Sequence, residues 1–327
     1  MPRRYVREFQ AGERVEDQVF LISSKDLRQT SNGALYIHVV LADRTGQILG
    51  RVWQATEAMY GTMPEGGFLR IKGRTESYKG NLQLIVEAIR PVDAATVDLA
   101  DFLPRTEHDV EAMWERVKNI LREIKDPAIR ALIKQFVLDE KLSECFKNAP
   151  AATQMHHAYI GGLLEHTLGL LELAKLVVPH YPKLSMDLML AGLFLHDIGK
   201  TAELCFDTSF KYTDQGQLVG HVVQAAIWID QKAELAAKEL GQPFPHEIKW
   251  SLQHIVLSHH GTYEFGSPRL PATPEAIAIH HLDNLDAKLH MYFREIANDP
   301  DAASSWTQYQ RSLETKIYKK DVMGIRK

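Results

Sequence analysis

The sequence predicts two folds in series, a small five-stranded β-barrel followed by an all-α helical bundle. Three observations predict this. Residues 1–92 alternate apolar and polar side chains between glycine breaks, the period-two mark of strands. Beyond Pro91 apolar residues recur at helical spacing instead. Of 15 histidines, 13 lie after residue 150, so the imidazole chemistry is concentrated in the second part.

The strands are expected over residues 15–23, 34–42, 47–54, 67–78 and 81–92. Asp-Arg-Thr-Gly at 43–46 and Tyr-Lys-Gly-Asn at 78–81 sit where tight turns would join neighbours. A short helix fits residues 55–60, between the third and fourth strands. Five strands with a helix in that gap fit an OB-type barrel. Side-chain alternation then separates its faces. Leu69 and Ile71 point one way while Arg70, Lys72 and Arg74 point the other. Tyr36 lies opposite the apolar face of the second strand, and Arg51 and Trp53 share a face of the third. Basic residues interleaved with aromatics form a stacking and phosphate-binding surface for single-stranded nucleic acid. The alternative is a solvated outer face with an incidental tryptophan.

Charge agrees in sign. Residues 1–92 hold 13 Lys/Arg against 10 Asp/Glu, a net +3, which leaves −7 for the remainder. A basic front and an acidic rear suit a polyanion-binding module joined to a cation-binding one. Two cysteines cannot build a disulfide framework, so Cys145 and Cys205 are expected to be buried thiols in a reducing compartment. With no apolar leader and no run long enough for a membrane span, the expected location is the cytoplasm and no membrane contact is expected.

Residues 93–150 read as a helical connector, with one helix within 107–125 and a second starting at Asp126-Pro127. Residues 151–300 form the bundle, and residues 301–327 a tail. In the bundle, a greasy helix over 188–195 runs into His196, Asp197, Gly199 and Lys200. A carboxylate ending such a helix is costly unless something positive answers it. His166, His221, the His259-His260 pair and Asp283 likewise stand where apolar helical runs meet polarity. Singly, each reads as a satisfied core or cap residue. Together they match the way bundles build metal sites, from inward-facing residues on separate helices. Imidazoles with carboxylates and no thiolate cluster suit Mn²⁺, Mg²⁺, Fe²⁺ or Zn²⁺.

The series His166, His196-Asp197, Asp283 resembles the H…HD…D signature of the HD-domain phosphohydrolases. The resemblance implies that these four residues hold one metal. His221, His259 and His260 match the positions that hold a second metal in the two-metal branches. The front barrel, His156-His157 and the Gly-Gly-Leu-Leu-Glu-His run ending at His166, His-Asp-Ile-Gly-Lys at 196–200 and His-Leu-Asp-Asn-Leu-Asp at 281–286 go further. That arrangement resembles the YhaM-type 3′→5′ exoribonucleases over essentially the whole chain. It implies hydrolysis of single-stranded RNA, or single-stranded DNA, from the 3′ end, with two divalent ions, Mn²⁺ first among them. Asp197 would bridge the ions, Lys200 would meet the phosphate, and His156 and His157 would contact substrate. Asp286 would be a supporting partner. A homo-oligomer is an open expectation. HD-GYP cyclic-dinucleotide phosphodiesterases also carry a His-His pair, but no Gly-Tyr-Pro follows here. Position 162 is Gly where their three-metal members have Glu, so the resemblance supports neither a three-metal site nor that substrate. A nucleotide or cyclic-nucleotide phosphodiesterase remains as the second reading. A non-enzymatic nucleic-acid-binding protein with a structural metal is the third.

Overall fold

The N-terminal alternation folds as five strands: β1 (Arg14–Gln29), β2 (Leu35–Asp43), β3 (Gly46–Trp53), β4 (Phe68–Tyr78) and β5 (Asn81–Val92). The computed structural model describes residues 3–325 apart from 79–80, 153–156, 206–210, 300 and 302. The strands close into a barrel in the order β1-β2-β3-β5-β4, with β4 returning to pair with β1. The β3–β5 pair is parallel and the other pairs are antiparallel. A one-turn helix, α1 (Glu57–Gly61), fills the gap between β3 and β4, and Thr56 caps it by accepting from the Met59 amide. This is the OB-type topology. Phe20, Ile22, Ile37, Val39, Leu41, Leu69, Ile71 and Leu84 fill the interior.

β1 runs past its expected end at residue 23, through Ser24, Lys25, Asp26 and Arg28. Its two halves serve different neighbours: Arg14–Leu21 pair with β4, and Leu21–Gln29 with β2. A register shift between Ile22 and Ser24 marks the change of partner. Beyond it the strand is held by ladder hydrogen bonds rather than by core burial, so the apolar alternation fades before the strand does. This unit extends to Arg105, and a second unit starts at Thr106.

The second unit is helical: α2 (Val110–Leu121), α3 (Pro127–Val137), α4 (Glu140–Asn148), α5 (Gly162–Val177), α6 (Met186–Leu195), α7 (Lys200–Glu203), α8 (Asp214–Val219), α9 (His221–Leu240), α10 (His246–Ser258) and α11 (Pro274–Asn298). α3 begins where Asp126-Pro127 placed it, with the Asp126 carboxylate accepting from the Ala128 and Ile129 amides. Trp114, Leu132, Phe136 and Phe146 join the same core as Leu163, Leu170, Phe194, Ile255 and Ile279. α6 is buried from Met189 through Leu195, so its end delivers His196 and Asp197 into the interior. α11 starts at Pro274, behind a Thr273 cap.

A two-residue ladder joins β6 (Leu204–Cys205) to β7 (Lys211–Tyr212) and interrupts the expected all-helical run. Cys145 and Cys205 are half-buried rather than buried. Among the described residues no helix is long and apolar enough to cross a membrane.

Phe194 packs against Phe146 and Trp114 at ring separations of 5.5 and 6.4 Å, directly before the His-Asp pair. Phe194→Ala is expected to cost about 3–5 kcal/mol of bundle stability. Urea unfolding followed by the near-UV signal checks this, and an unchanged midpoint would contradict the packing account.

Candidate metal centre and barrel face

Three helix boundaries and the interior of a fourth helix converge on Asp197. His196 closes α6, His221 opens α9, His259 closes α10, and His166 lies within the first half of α5. His166, His196, Asp197 and His259 are almost inaccessible to water, at 0–2% exposure. The two oxygens of Asp197 divide between two sets of imidazoles. Oδ2 lies 3.3 Å from His196 Nε2 and 3.9 Å from His166 Nε2. Oδ1 lies 3.4 Å from His221 Nε2 and 3.5 Å from His259 Nε2. His260 offers a nitrogen to the second set, and Asp283 Oδ1 reaches the first, 3.3 Å from His166 Nε2.

The outer ring nitrogens explain why the inner ones face the centre. His196 Nδ1 donates to the Leu193 carbonyl and His259 Nδ1 to the Val256 carbonyl, each at 2.7 Å. His166 Nδ1 donates to Asp286 Oδ2 at 2.7 Å, and His221 Nδ1 to Glu203 at 2.9 Å. Each bond fixes the tautomer and leaves an Nε2 lone pair aimed inward. Gly199 makes the approach of α9 possible, because a Cβ there would overlap the His221 backbone carbonyl.

These atoms fit divalent ions. His166 Nε2 and His196 Nε2 face each other at 3.3 Å, and two lone pairs at that distance need a cation or proton between them. Adjacent donors on one six-coordinate ion with bonds of ~2.1 Å sit ~3 Å apart, close to the spacings here. Among the described residues, Asp197 Oδ1, His221 Nε2 and His260 Nδ1 are buried without a hydrogen-bond partner. Lys200 Nζ meets Asp197 Oδ2 at 2.6 Å and answers only one of the two oxygens.

Burial alone would raise the Asp197 carboxyl, but the Lys200 ammonium and the His196 imidazole hold it well below the ordinary carboxylate range. Burial opposes protonation of His166, yet the Asp283 and Asp286 carboxylates raise it to about 9. Burial pushes His260 down to about 3, and it lowers His259 as well. In the metal-free protein a proton on His166 thus takes the place of a cation.

Of the expected substrate contacts in this unit, His156 lies outside the described residues. His157 is buried, with Nε2 on Asp286 at 3.1 Å, rather than presented at the surface. Asp286 supports His166, in the expected supporting place. Glu203 was missed by the sequence reading. Its only mark there is its place one short helix beyond the His-Asp pair.

On the barrel, Tyr36 and Trp53 pair across β2 and β3 with ring centroids 5.2 Å apart. Arg51 lies 5.8 Å from the Trp53 ring and 5.2 Å from that of Tyr78. Trp53 and Tyr78 are exposed. Arg70, Lys72 and Arg74 belong to the β4 side, next to β1. Arg70 is bound to Asp17 at 3.2 Å and Lys72 is 3.9 Å from Glu16, so acidic neighbours answer both. The structure therefore gathers Tyr36, Arg51 and Trp53, adds Tyr78, and places Arg74 across β5 from Arg51, since both pair with Ile85; Arg70 and Lys72 instead lie against acidic residues of β1.

The HD domain family profile matches residues 163–288. The 3′-5′ exoribonuclease YhaM of Bacillus subtilis (strain 168) is 36% identical over 288 residues, covering 88% of this chain and 89% of its own. That of Geobacillus sp. (strain WCH70) is 35% identical over 320 residues, covering 97% and 94%. Among solved structures, a domain of replication protein A from Methanococcus maripaludis aligns with 28% of this chain and 97% of its own, at 17% identity and a TM-score of 0.24. Residues 163–288, with their histidines around one carboxylate, form an HD domain. The chain as a whole belongs to the YhaM family.

Two predictions follow from the geometry. Glu203→Gln is expected to weaken divalent-metal affinity by about 10–100-fold with helix content unchanged; chelator competition and circular dichroism check this. Because a metal must displace the His166 proton, affinity should rise about tenfold per pH unit from about pH 6 to 8. A flat pH profile in the same assay would contradict the linkage.

Proposed function

We propose that this chain is a metal-dependent 3′→5′ exoribonuclease that shortens single-stranded RNA and releases nucleoside 5′-monophosphates. The observation that carries the reading is the division of Asp197 between two imidazole sets, in a chain whose curated relatives match it almost end to end. His166, His196, Asp197 and Asp283 would hold one ion, and Asp197, His221, His259 and His260 the other. Donors of nitrogen and oxygen without thiolate suit Mn²⁺ first, with Mg²⁺, Fe²⁺ and Zn²⁺ as alternatives. Such ions supply Lewis-acid stabilisation of phosphate charge and a water of lowered pKa.

The protein's own part is placement. Asp197 fixes the distance between the two donor sets. Lys200 is half-buried, and Asp197 beside it holds its ammonium charged against the cost of desolvation. Its ammonium would meet the scissile phosphate or the leaving oxygen. Trp53 and Tyr36 would stack bases while Arg51 meets the backbone phosphate. Arg70, Lys72 and Arg74 would add a more distributed phosphate attraction, reduced where Asp17 and Glu16 already answer it. The cytoplasm is the compartment this reading assigns. Single-stranded DNA is the second substrate to test, and light scattering on the purified chain reads whether copies associate.

The experiment is incubation of 5′-labelled single-stranded RNA with Mn²⁺, beside Asp197→Ala. The expected result is a metal-dependent ladder from the 3′ end, absent in the variant. Intact RNA with cleavage of a cyclic dinucleotide would overturn the reading. Trp53→Ala should weaken RNA binding by about 1–3 kcal/mol while sparing cleavage of bis(p-nitrophenyl) phosphate. Equal loss of both would contradict the division of labour.

A further inference from the structure

Beside the Asp197 centre lies a second group of donors that the proposed two-ion reading does not use. His157, Asp286 and His290 each offer one atom within 4.8 Å of the others. His157 Nε2 is 3.1 Å from Asp286 Oδ2; His290 Nδ1 lies 3.5 Å from Asp286 Oδ1 and donates to the Asp286 carbonyl at 3.1 Å, so Nε2 is the nitrogen His290 would offer. The His157 and His290 rings approach to 3.8 Å between centroids. Asp286 and His290 stand four residues apart on α11, so one helix face presents both donors. His157 comes from the segment before α5.

The support for these groups matches that of the Asp197 imidazoles. His157 Nδ1 is tied to the Tyr159 hydroxyl at 2.7 Å, which in turn bonds Glu165, and its Nε2 faces the carboxylate. That is the arrangement of His196 and His259: one nitrogen fixed by the fold, the other aimed at a shared centre. The backbone is held out of its usual range to achieve it. His157 has φ +49°, and Gly162 packs against its carbonyl so closely that a Cβ would overlap it. A left-handed non-glycine residue fixed by a close contact is strain that the surrounding fold sustains, and such strain concentrates at binding sites.

We propose that His157, Asp286 and His290 form a third divalent-cation site, distinct from the two sharing Asp197. Two imidazoles and one carboxylate with water completing the shell suit a first-row cation such as Mn²⁺, Fe²⁺ or Zn²⁺. The His290 side chain is 41% exposed, so water and substrate oxygens can reach the open positions. Asp286 would then face two ways, receiving the His166 Nδ1 proton on one side and a cation on the other. Occupancy there would be coupled to the placement of His166. This set does not include position 162, whose lack of a carboxylate argues only against a third ion held from that residue.

The test is equilibrium dialysis of the full chain against Mn²⁺, with bound metal counted by mass spectrometry. His290→Ala and His290→Gln are each expected to bind one ion fewer than the unaltered protein. Asp197→Ala should keep one ion, and combining it with His290→Ala should remove that ion. Equal counts in the unaltered protein and both His290 variants overturn the proposal. The two-ion reading fails separately, if Asp197→Ala binds as much metal as the unaltered protein.

Discussion

The Asp197 carboxylate is 2% exposed, and the neighbourhood is arranged by the need to answer its charge. A buried carboxylate is tolerated when it is paired and hydrogen-bonded. Lys200 satisfies Oδ2 and leaves Oδ1 without a hydrogen-bond donor. The imidazoles around it do not complete the job as neutral groups, since their N–H bonds are given to carbonyls and carboxylates farther out. What remains is a set of inward lone pairs around a negative charge. Only protons or metal ions make that arrangement favourable, and the elevated His166 affinity for a proton is the metal-free form of the same demand.

The fold serves this constraint through helix ends. Residues at a helix boundary have backbone groups without intrahelical partners, and the turn there can aim a side chain along the axis. His196, His221 and His259 all occupy such boundaries. α6 is apolar on every side, which puts its C-terminus in the interior, and Gly199 lets the chain pass against the His221 carbonyl. The barrel needs no such interior chemistry. Its exposed Trp53 and Tyr78 rings lie beside Arg51 at the surface.

Much of this was legible in the sequence for identifiable reasons. The strands of the barrel alternate because one face is buried, and α3 announces itself through Asp126 and Pro127. The second half of β1 was not legible, since a strand passing from one partner to another keeps its ladder while losing its apolar face. At the centre, the donors were visible because histidine is conspicuous against an apolar helix. Glu203 was not, because a glutamate on a short helix looks like any solvated carboxylate until the His221 ring and amide are seen to contact it. The acidic partners of Arg70 and Lys72 were also hidden, since strand alternation gives the side of a sheet and not which neighbouring strand answers a charge.

On the proposed reading, Asp197 stands between two donor sets that would each hold an ion. Electron paramagnetic resonance of the Mn²⁺-loaded protein tests it most directly. The account predicts an exchange-coupled signal from a pair of Mn²⁺ ions, lost in Asp197→Ala. A spectrum of magnetically isolated ions only, at full metal loading, would contradict it.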